Sequence, residues 1–257
     1  MEPPVLLQRR EGVAYVTLNR ADKLNAINVG LRDALLAALA EIEADTDVHC
    51  VVLQAAGRAF SAGQDLDERA PILAGTLIDL GAALEAGINR LILAIVQLPQ
   101  PVIAAVQGRA VGAGAGLALA CDLMVAGPGA SLHFSFSRLG LVPDSGSSWF
   151  LQRRLGPYRA AQALLLAEPI PAASARDMGL VAALSESDDT VSALAEAMAA
   201  RIAKGSPEAI RATKALLREA AANDLASQLQ AEARQQTRAG HSDAYRQALA
   251  GFLNRAR

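Results

Sequence analysis

Short apolar segments alternate with longer helix-forming segments over roughly the first 190 residues of this 257-residue chain. Val13–Leu18 is rich in β-forming residues, and Cys50–Leu53 is a continuous apolar run of the kind found in strands buried on both faces. Two further strands are predicted at Val102–Val106 and Asp122–Ala126. Because strands and helices alternate, the sequence predicts an α/β core.

The helical segments divide the chain into two parts. The first predicted helix follows Asn28 and has an apolar face. That face consists of Leu31, Leu35, Leu39 and Ile42. A second helix is predicted from about residue 76 to Leu98, where Pro99 ends it. Beyond about residue 190 the pattern is purely helical, so we predict a core of residues 1–195 and a C-terminal helical region of residues 196–257.

Charge and cysteine content narrow the possible partners. The 24 basic and 26 acidic side chains give a net charge of −2 without a basic block, which argues against nucleic-acid binding. Cys50 and Cys121 are too few for a disulfide framework and are expected as buried free thiols. The N-terminus lacks a signal-peptide pattern, and no apolar run approaches the roughly 20 residues of a membrane span. We therefore expect a cytoplasmic protein without a membrane partner.

Familiar cofactor and hydrolase motifs are missing from the sequence. Gly112, Gly114 and Gly116 do not match G-x-G-x-x-G, because position 117 is leucine, and no phosphate-binding G-x-x-x-x-G-K-[ST] loop occurs. The three histidines are isolated, and H-E-x-x-H, C-x-x-C and G-x-S-x-G are absent. We therefore expect no nucleotide cofactor, no metal and no serine-hydrolase site.

Two glycine-bearing segments, 60–66 and 108–116, each follow a predicted strand. Small residues in such turns let a ligand approach the backbone, and a helix N-terminus offers free N–H groups. Two such turns could supply two N–H donors to one oxygen and form an oxyanion hole. The alternative is that these glycines only permit tight packing.

Asp144 is a candidate acid–base group. It is one of two acidic residues between Glu85 and Glu168, and it lies in an apolar stretch, 139–149. Burial there would raise its pKa and suit it to proton transfer. The alternative is a turn or helix N-cap, which Pro-Asp-Ser-Gly also favours.

Four motifs together resemble the crotonase (enoyl-CoA hydratase/isomerase) superfamily in order and spacing. They are Asn19–Ala26, Ser61–Leu66, Val106–Gly116 with Cys121 and Asp122, and Leu139–Gly146. The resemblance covers essentially the whole chain and implies a spiral of β-β-α units with a C-terminal helical trimerisation region. It also implies an acyl-CoA thioester as substrate, no separate cofactor, and a homotrimer or a dimer of trimers.

The resemblance further implies the roles of individual residues. Ala62 and Ala113 would donate their N–H groups to the thioester oxygen, and the loop containing Ala62 would lie along the CoA adenine. Lys23 and Arg255 would contact the CoA nucleotide, the latter from a neighbouring subunit, unless they are simply solvated charges. The full set of implied substrate-binding residues is Lys23, Ala62, Gly63, Asp65, Leu66, Gly112, Phe136 and Arg255.

Two departures from the family pattern favour one reaction. Hydratases of the family use two glutamates, and this sequence has Gly116 and Phe136 at those positions, neither of which can transfer a proton. Asp144 matches the catalytic aspartate of dienoyl-CoA isomerases and of the ring-epoxide phenylacetyl-CoA isomerase.

The resemblance therefore implies an acyl-CoA isomerase that moves a proton through a thioester enolate. Its substrate would be 1,2-epoxyphenylacetyl-CoA or a 3-enoyl-CoA. Three alternatives stay open: an enoyl-CoA hydratase of fatty-acid β-oxidation, an aspartate-nucleophile dehalogenase or thioesterase, and a non-enzymatic CoA-ester-binding protein.

Overall fold

A six-stranded sheet forms the centre of the computed structural model, which describes residues 2–255. The strand order is β1-β2-β3-β4-β6-β9, and a second sheet has the order β5-β7-β8. The strands are β1 Val5–Arg10, β2 Val13–Leu18, β3 Cys50–Ala55, β4 Val102–Val106, β5 Arg109–Val111, β6 Leu123–Ala126, β7 Ser131–His133, β8 Ile170–Pro171 and β9 Ala183–Leu184. In the larger sheet, β1 and β2 are antiparallel and all other neighbours are parallel.

Helices cover these sheets and extend into a C-terminal helical region. They are α1 Val29–Ala44, α2 Ala70–Leu73, α3 Leu80–Ala86, α4 Ile88–Gln97, α5 Ala113–Ala120, α6 Ser147–Ala161, α7 Ala172–Asp177, α8 Val191–Ala203, α9 Pro207–Ala220, α10 Leu225–Gly240 and α11 Asp243–Arg255. The predicted α/β core is confirmed.

The first predicted helix is confirmed in its start and its buried face. The Asn28 side chain caps α1 by accepting a hydrogen bond from the Leu31 N–H at 2.9 Å. The four predicted side chains of the apolar face are all buried in the core. The helix therefore packs against the sheet through the stripe that its sequence defines.

The second predicted helix is broken into two. Gly87, with φ −117° and ψ −100°, separates α3 from α4. The expectation that no apolar stretch approaches the length of a membrane span is also wrong. By length and composition alone, the segment Leu80–Gln97 is long and apolar enough to cross a membrane. Four apolar side chains of α4 pack into the core, which accounts for the apolar character of the second half of Leu80–Gln97. These side chains are Ile88, Leu91, Ile92 and Ile95.

The first helix after residue 190, α8, packs against the larger sheet. Val191, Ala195 and Ala199 of α8 are buried against strands of the larger sheet, so α8 continues across the predicted boundary at residue 195. Further along, the Lys214 Nζ of α9 lies 2.7 Å from the Asp122 carboxylate and donates to the Gln100 carbonyl at 3.0 Å. These contacts attach the first two C-terminal helices to the core.

Both cysteines are buried free thiols, as expected. Burial raises the pKa of Cys50 and of Cys121 to about 12. Neither thiol is ionised near neutral pH, so neither is suited to nucleophilic chemistry.

Candidate active site

The two glycine-bearing loops lie side by side in parallel orientation. The Ser61 N–H donates to the Arg109 carbonyl at 3.2 Å, and the Val111 N–H donates back to the Ser61 carbonyl at 2.9 Å. Gly63 has φ +88°, and a Cβ added there would lie 2.6 Å from the Val111 carbonyl oxygen. Only glycine permits this close approach of the two chains.

Ala113 begins α5 and has the geometry expected of an N–H donor. It is the first helical residue, and its N–H has no acceptor within residues 2–255. The preceding Gly112 has φ +49°, and its own N–H is bound to the His133 carbonyl at 2.8 Å. The oxyanion role of Ala113 stays a prediction that this geometry permits.

The predicted role of Ala62 as the other donor is wrong. Its N–H already donates to the Leu24 carbonyl at 2.8 Å, within the turn that follows Asn19–Arg20. An N–H used in this way cannot also bind a thioester oxygen unless the loop rearranges.

Gln64 has a free N–H in this loop, close to Ala113. Its two neighbours bond to one residue, because the Gly63 carbonyl accepts from the Ile27 N–H at 2.7 Å and the Asp65 N–H donates to the Ile27 carbonyl at 3.0 Å. The peptide groups of an extended segment alternate in direction, so the Gln64 N–H points away from Ile27. It has no acceptor among the residues that the structure describes.

The register of the two loops brings Gln64 and Ala113 together. Ser61 is bridged to Ala110, and three residues further along each loop come Gln64 and Ala113. A Cβ built on Gly63 would lie 3.6 Å from the Ala113 nitrogen, which confirms how closely the loops approach at this point. Sequence reasoning missed Gln64 because the direction of its N–H depends on the pairing of Ile27 with this loop.

Asp144 is half-buried and does not cap the following helix. Gly146 occupies the N-cap of α6, and no side chain caps that helix end. The Asp144 carboxylate instead accepts a hydrogen bond from the Ser145 hydroxyl at 2.8 Å. Burial raises the pKa of Asp144 above its usual value, while the bond from Ser145 and the charge of Arg69 oppose the shift. The alternative of a side-chain helix cap is thus wrong, and the acid–base role of Asp144 stays a prediction.

The two positions of the family's glutamates are filled differently here. A Cβ on Gly116 would lie 2.5 Å from the Ser145 Cβ and 2.7 Å from the Ser145 carbonyl oxygen, so this backbone leaves no room for any side chain. Phe136 is buried, and its ring lies next to Gly112. The segment that carries Asp144 and Ser145 thus packs directly against α5 at Gly116.

The predicted CoA-binding side chains of the first loops have partners within the protein. Lys23 is exposed and pairs with Asp67 at 3.0 Å, a hydrogen bond that raises the pKa of Lys23. Asp65 is buried and accepts from Arg20 at 2.9 Å. Burial acts against ionisation of Asp65, but its bonds from Arg20 and from the Asp67 N–H dominate, and its pKa is lowered. The backbone of Asp65 is also bonded within the protein, because its N–H donates to the Ile27 carbonyl at 3.0 Å and its carbonyl accepts from the Glu68 N–H at 3.3 Å.

The remaining predicted positions differ in how far the structure describes them. Leu66, the last residue of the predicted oxyanion loop (residues 60–66), is largely exposed. Arg255 is the last residue of α11, and its side chain lies outside the described part of the chain. Within residues 2–255, no three His, Cys, Asp or Glu side chains come together as a metal site.

A cavity of about 470 Å³ adjoins the oxyanion loop. It lies between the first turn of α1, the segment after Gln64 and the helices α3 and α4. Its walls are formed by Ile27, Asn28, Val29, Arg32, Gln64, Glu68, Arg69, Ala83, Ala86 and Ile88. This volume is within the range of pockets that bind small molecules.

Comparison with known proteins agrees with the fold. Residues 8–257 match the enoyl-CoA hydratase/isomerase family model. The chain belongs to the enoyl-CoA hydratase/isomerase family. It is 36% identical to the 1,2-epoxyphenylacetyl-CoA isomerase of Escherichia coli K12 over 97% of this chain and 95% of that protein. It is also 36% identical to the 2,3-dehydroadipyl-CoA hydratase of the same organism, over 84% of this chain and 82% of that protein.

Solved structures of the family have the same architecture. An enoyl-CoA hydratase from Polaromonas sp. JS666 superimposes with a TM-score of 0.91 at 32% identity, covering 98% of this chain and 97% of that one. The resemblance read from the four sequence motifs is therefore confirmed. As a member of the enoyl-CoA hydratase/isomerase family, the protein acts on acyl-CoA thioesters.

Proposed function

We propose that this family member is an acyl-CoA isomerase that uses Asp144 as its single acid–base group. The observation that carries the proposal is the contact of Gly116 with Ser145. It leaves no room for a glutamate on α5, whereas the half-buried Asp144 carboxylate lies next to Ser145. One carboxylate can move a proton, but the family's hydration mechanism needs a second acid to activate water.

In the proposed reaction, the thioester carbonyl oxygen binds between the Gln64 and Ala113 N–H groups. The Asp144 carboxylate removes a proton from the acyl chain, and the electron pair of that C–H bond moves into an enolate whose charge rests on the thioester oxygen. The protonated Asp144 then returns the proton to a different carbon. In a 3-enoyl-CoA ester the proton leaves C2 and returns to C4, so the double bond moves from C3–C4 to C2–C3 without gain or loss of atoms. Two positioned N–H donors stabilise the enolate as it forms.

The substrates that fit this proposal are 1,2-epoxyphenylacetyl-CoA and 3-enoyl-CoA esters. The first is supported by the name of the Escherichia coli isomerase, to which this chain is similar over nearly its whole length. Enoyl-CoA hydration is the second candidate, because a relative of equal identity is a hydratase. The buried Phe136 and the packed Gly116 favour the isomerase.

A substrate panel tests the proposal. Purified protein is assayed with crotonyl-CoA, 3-hexenoyl-CoA and 1,2-epoxyphenylacetyl-CoA, in parallel with Asp144→Asn. We expect isomerisation of at least one of the last two, loss of that activity in Asp144→Asn, and little hydration of crotonyl-CoA. Turnover of crotonyl-CoA at rates typical of a dedicated hydratase would overturn the assignment. Trapping of an acyl-aspartyl species would instead support a nucleophilic Asp144.

The proposed enzyme needs no cofactor, because CoA is part of its substrate. We further propose a cytoplasmic homotrimer or dimer of trimers, assembled through the C-terminal helices. Exposed apolar side chains on α9 to α11 support such an interface, and sedimentation of the full chain tests it. They are Leu217, Leu225, Leu229, Leu249, Phe252 and Leu253.

A further inference from the structure

Arg69 is a half-buried cation in the wall of the cavity beside the oxyanion loop. Its Nη2 donates to the Gln64 side-chain oxygen at 2.8 Å, so the residue with the free backbone N–H also holds this guanidinium. The turn that carries Arg69 is fixed in turn by Asp65, which caps it and is bound to Arg20. The position of Arg69 is therefore fixed by Gln64 and by the turn that Asp65 caps.

No salt bridge pairs with Arg69 among the described residues, although its charge also acts on the Asp144 carboxylate. No carboxylate of residues 2–255 lies within ion-pair distance of the Arg69 guanidinium. The other arginine of the cavity, Arg32, is paired with Asp33 at 2.8 Å. Glu68 also lines the cavity, but its carboxylate accepts the Val29 N–H at 2.9 Å at the start of α1. The Arg69 guanidinium therefore has N–H groups and a positive charge available to a ligand in the cavity.

We propose that Arg69 binds an oxygen of the acyl group, and that the cavity selects acyl-CoA esters carrying an anionic or hydrogen-bond-accepting oxygen beyond the thioester. A guanidinium with one donor held by Gln64 keeps further N–H groups for such an oxygen. The volume of about 470 Å³ accommodates an acyl group larger than crotonyl. This inference rests on the proposed function only in assuming that acyl-CoA binds with its thioester at Gln64 and Ala113.

Equilibrium binding of saturated esters tests the inference without requiring turnover. Calorimetry compares matched CoA esters of four, six and eight carbons that end in a methyl, a hydroxyl or a carboxylate group. We expect at least one oxygen-bearing ester to bind the wild-type protein about tenfold or more tightly than its methyl counterpart, as for a hydrogen bond to a charged group. Preference for the carboxylate alone would identify an anionic oxygen, and preference for both would identify a neutral acceptor.

Three variants give the result its meaning. Arg69→Met should bind the methyl esters as before and lose the preference to within about threefold, and Arg69→Lys should keep part of it. Arg90→Met, at an exposed arginine of α4 outside the cavity walls, is the matched control and should keep the full preference. Circular dichroism and thermal melting establish that each variant folds.

Separate outcomes would overturn the two proposals. If wild-type protein binds methyl esters but prefers none of the oxygen-bearing ones, the Arg69 inference is wrong and the proposed function stands. A preference for oxygen-bearing esters that persists in Arg69→Met would also overturn the Arg69 inference. If the pH dependence of catalysis nevertheless shifts in that variant, Arg69 acts only on Asp144. Failure of the wild-type protein to bind any CoA ester would overturn the proposed function itself.

Discussion

The Cα of Gly116 faces Ser145 so closely that an added Cβ would lie 2.7 Å from the Ser145 carbonyl oxygen. This contact joins α5, which begins with the predicted donor Ala113, to the segment that carries Asp144. It sets by backbone packing how closely the segment that carries Asp144 approaches α5. The same contact leaves no space for the glutamate that hydratases of the family have at this position.

We predict that Gly116→Ala lowers the free energy of unfolding by about 1–3 kcal/mol, the usual cost of overpacking. The loss should occur although alanine is the better helix former by about 1 kcal/mol. Gly251→Ala, within α11 and with no heavy atom within 4 Å of its added Cβ, is the control and should be neutral or stabilising. Urea unfolding of the three proteins measures the difference. Equal stability of the two variants would show that the Ser145 segment yields easily.

We predict that Ala113→Pro folds but loses about 10²–10³-fold in kcat. Proline removes the backbone N–H, and the loss of one oxyanion donor has a cost of this size. Folding should survive because Ala113 is the first residue of α5, the helix position that best tolerates proline. Leu225→Pro, at the first residue of α10, is the matched control and should remain active. An active, folded Ala113→Pro enzyme would show that the second donor lies elsewhere.

We predict that Asp144→Asn loses about 10²-fold or more in kcat while still binding CoA esters. Burial raises the pKa of Asp144 in the folded state, so the ionised form costs stability. Stability from this group is therefore present at low pH and is lost as pH rises from the unfolded value through the folded pKa. Asparagine removes the loss, and the thermal midpoint of the variant at pH 7 should equal or exceed that of the parent.

The pH dependence of the wild-type enzyme gives the complementary measurement. A base must be ionised to accept a proton, so kcat/KM should fall on acidification with a midpoint above the ordinary aspartate pKa of about 3.9. Activity that is constant down to pH 4 would be inconsistent with Asp144 as the base.

We predict that Lys214→Met destabilises the protein by about 2 kcal/mol, below the full 3–5 kcal/mol for breaking a buried ion pair. The reduction reflects Asp122, whose side chain is 32% exposed. The loss also includes the hydrogen bond from Lys214 to the Gln100 carbonyl. A double-mutant cycle with Asp122→Asn, followed by urea unfolding, isolates the pair. Additive losses would show that α9 is attached by other contacts.

Much of the fold could be predicted because its signals are local. A continuous apolar run predicts a buried strand at β3 and at β4, and the spaced leucines of α1 predict which face of that helix is buried. Neither prediction requires knowing what packs against the element. The broken helix between residues 76 and 98 was missed because Gly87 is tolerated within a helical pattern and only its backbone angles mark the break.

The candidate site was predicted in part, and its limits follow from geometry. Asp144 and the two glycine-bearing loops could be chosen from residue type and order alone. Choosing Ala62 rather than Gln64 failed because every non-proline residue has an N–H, and the sequence does not tell which one is already bonded. That depends on Leu24 and Ile27, which lie some 40 residues earlier in the chain.

The sequence by itself determined the family, the α/β class and the absence of glutamate at positions 116 and 136. Only the tertiary structure decided that the Gln64 N–H rather than the Ala62 N–H is free, that Gly116 cannot carry a side chain, and that Arg69 faces the cavity without a carboxylate partner among the described residues. Periodicity and composition report on each residue's own environment. Hydrogen-bond direction, close backbone contact and charge neutralisation depend on pairs of residues that are distant in the chain and are brought together by folding.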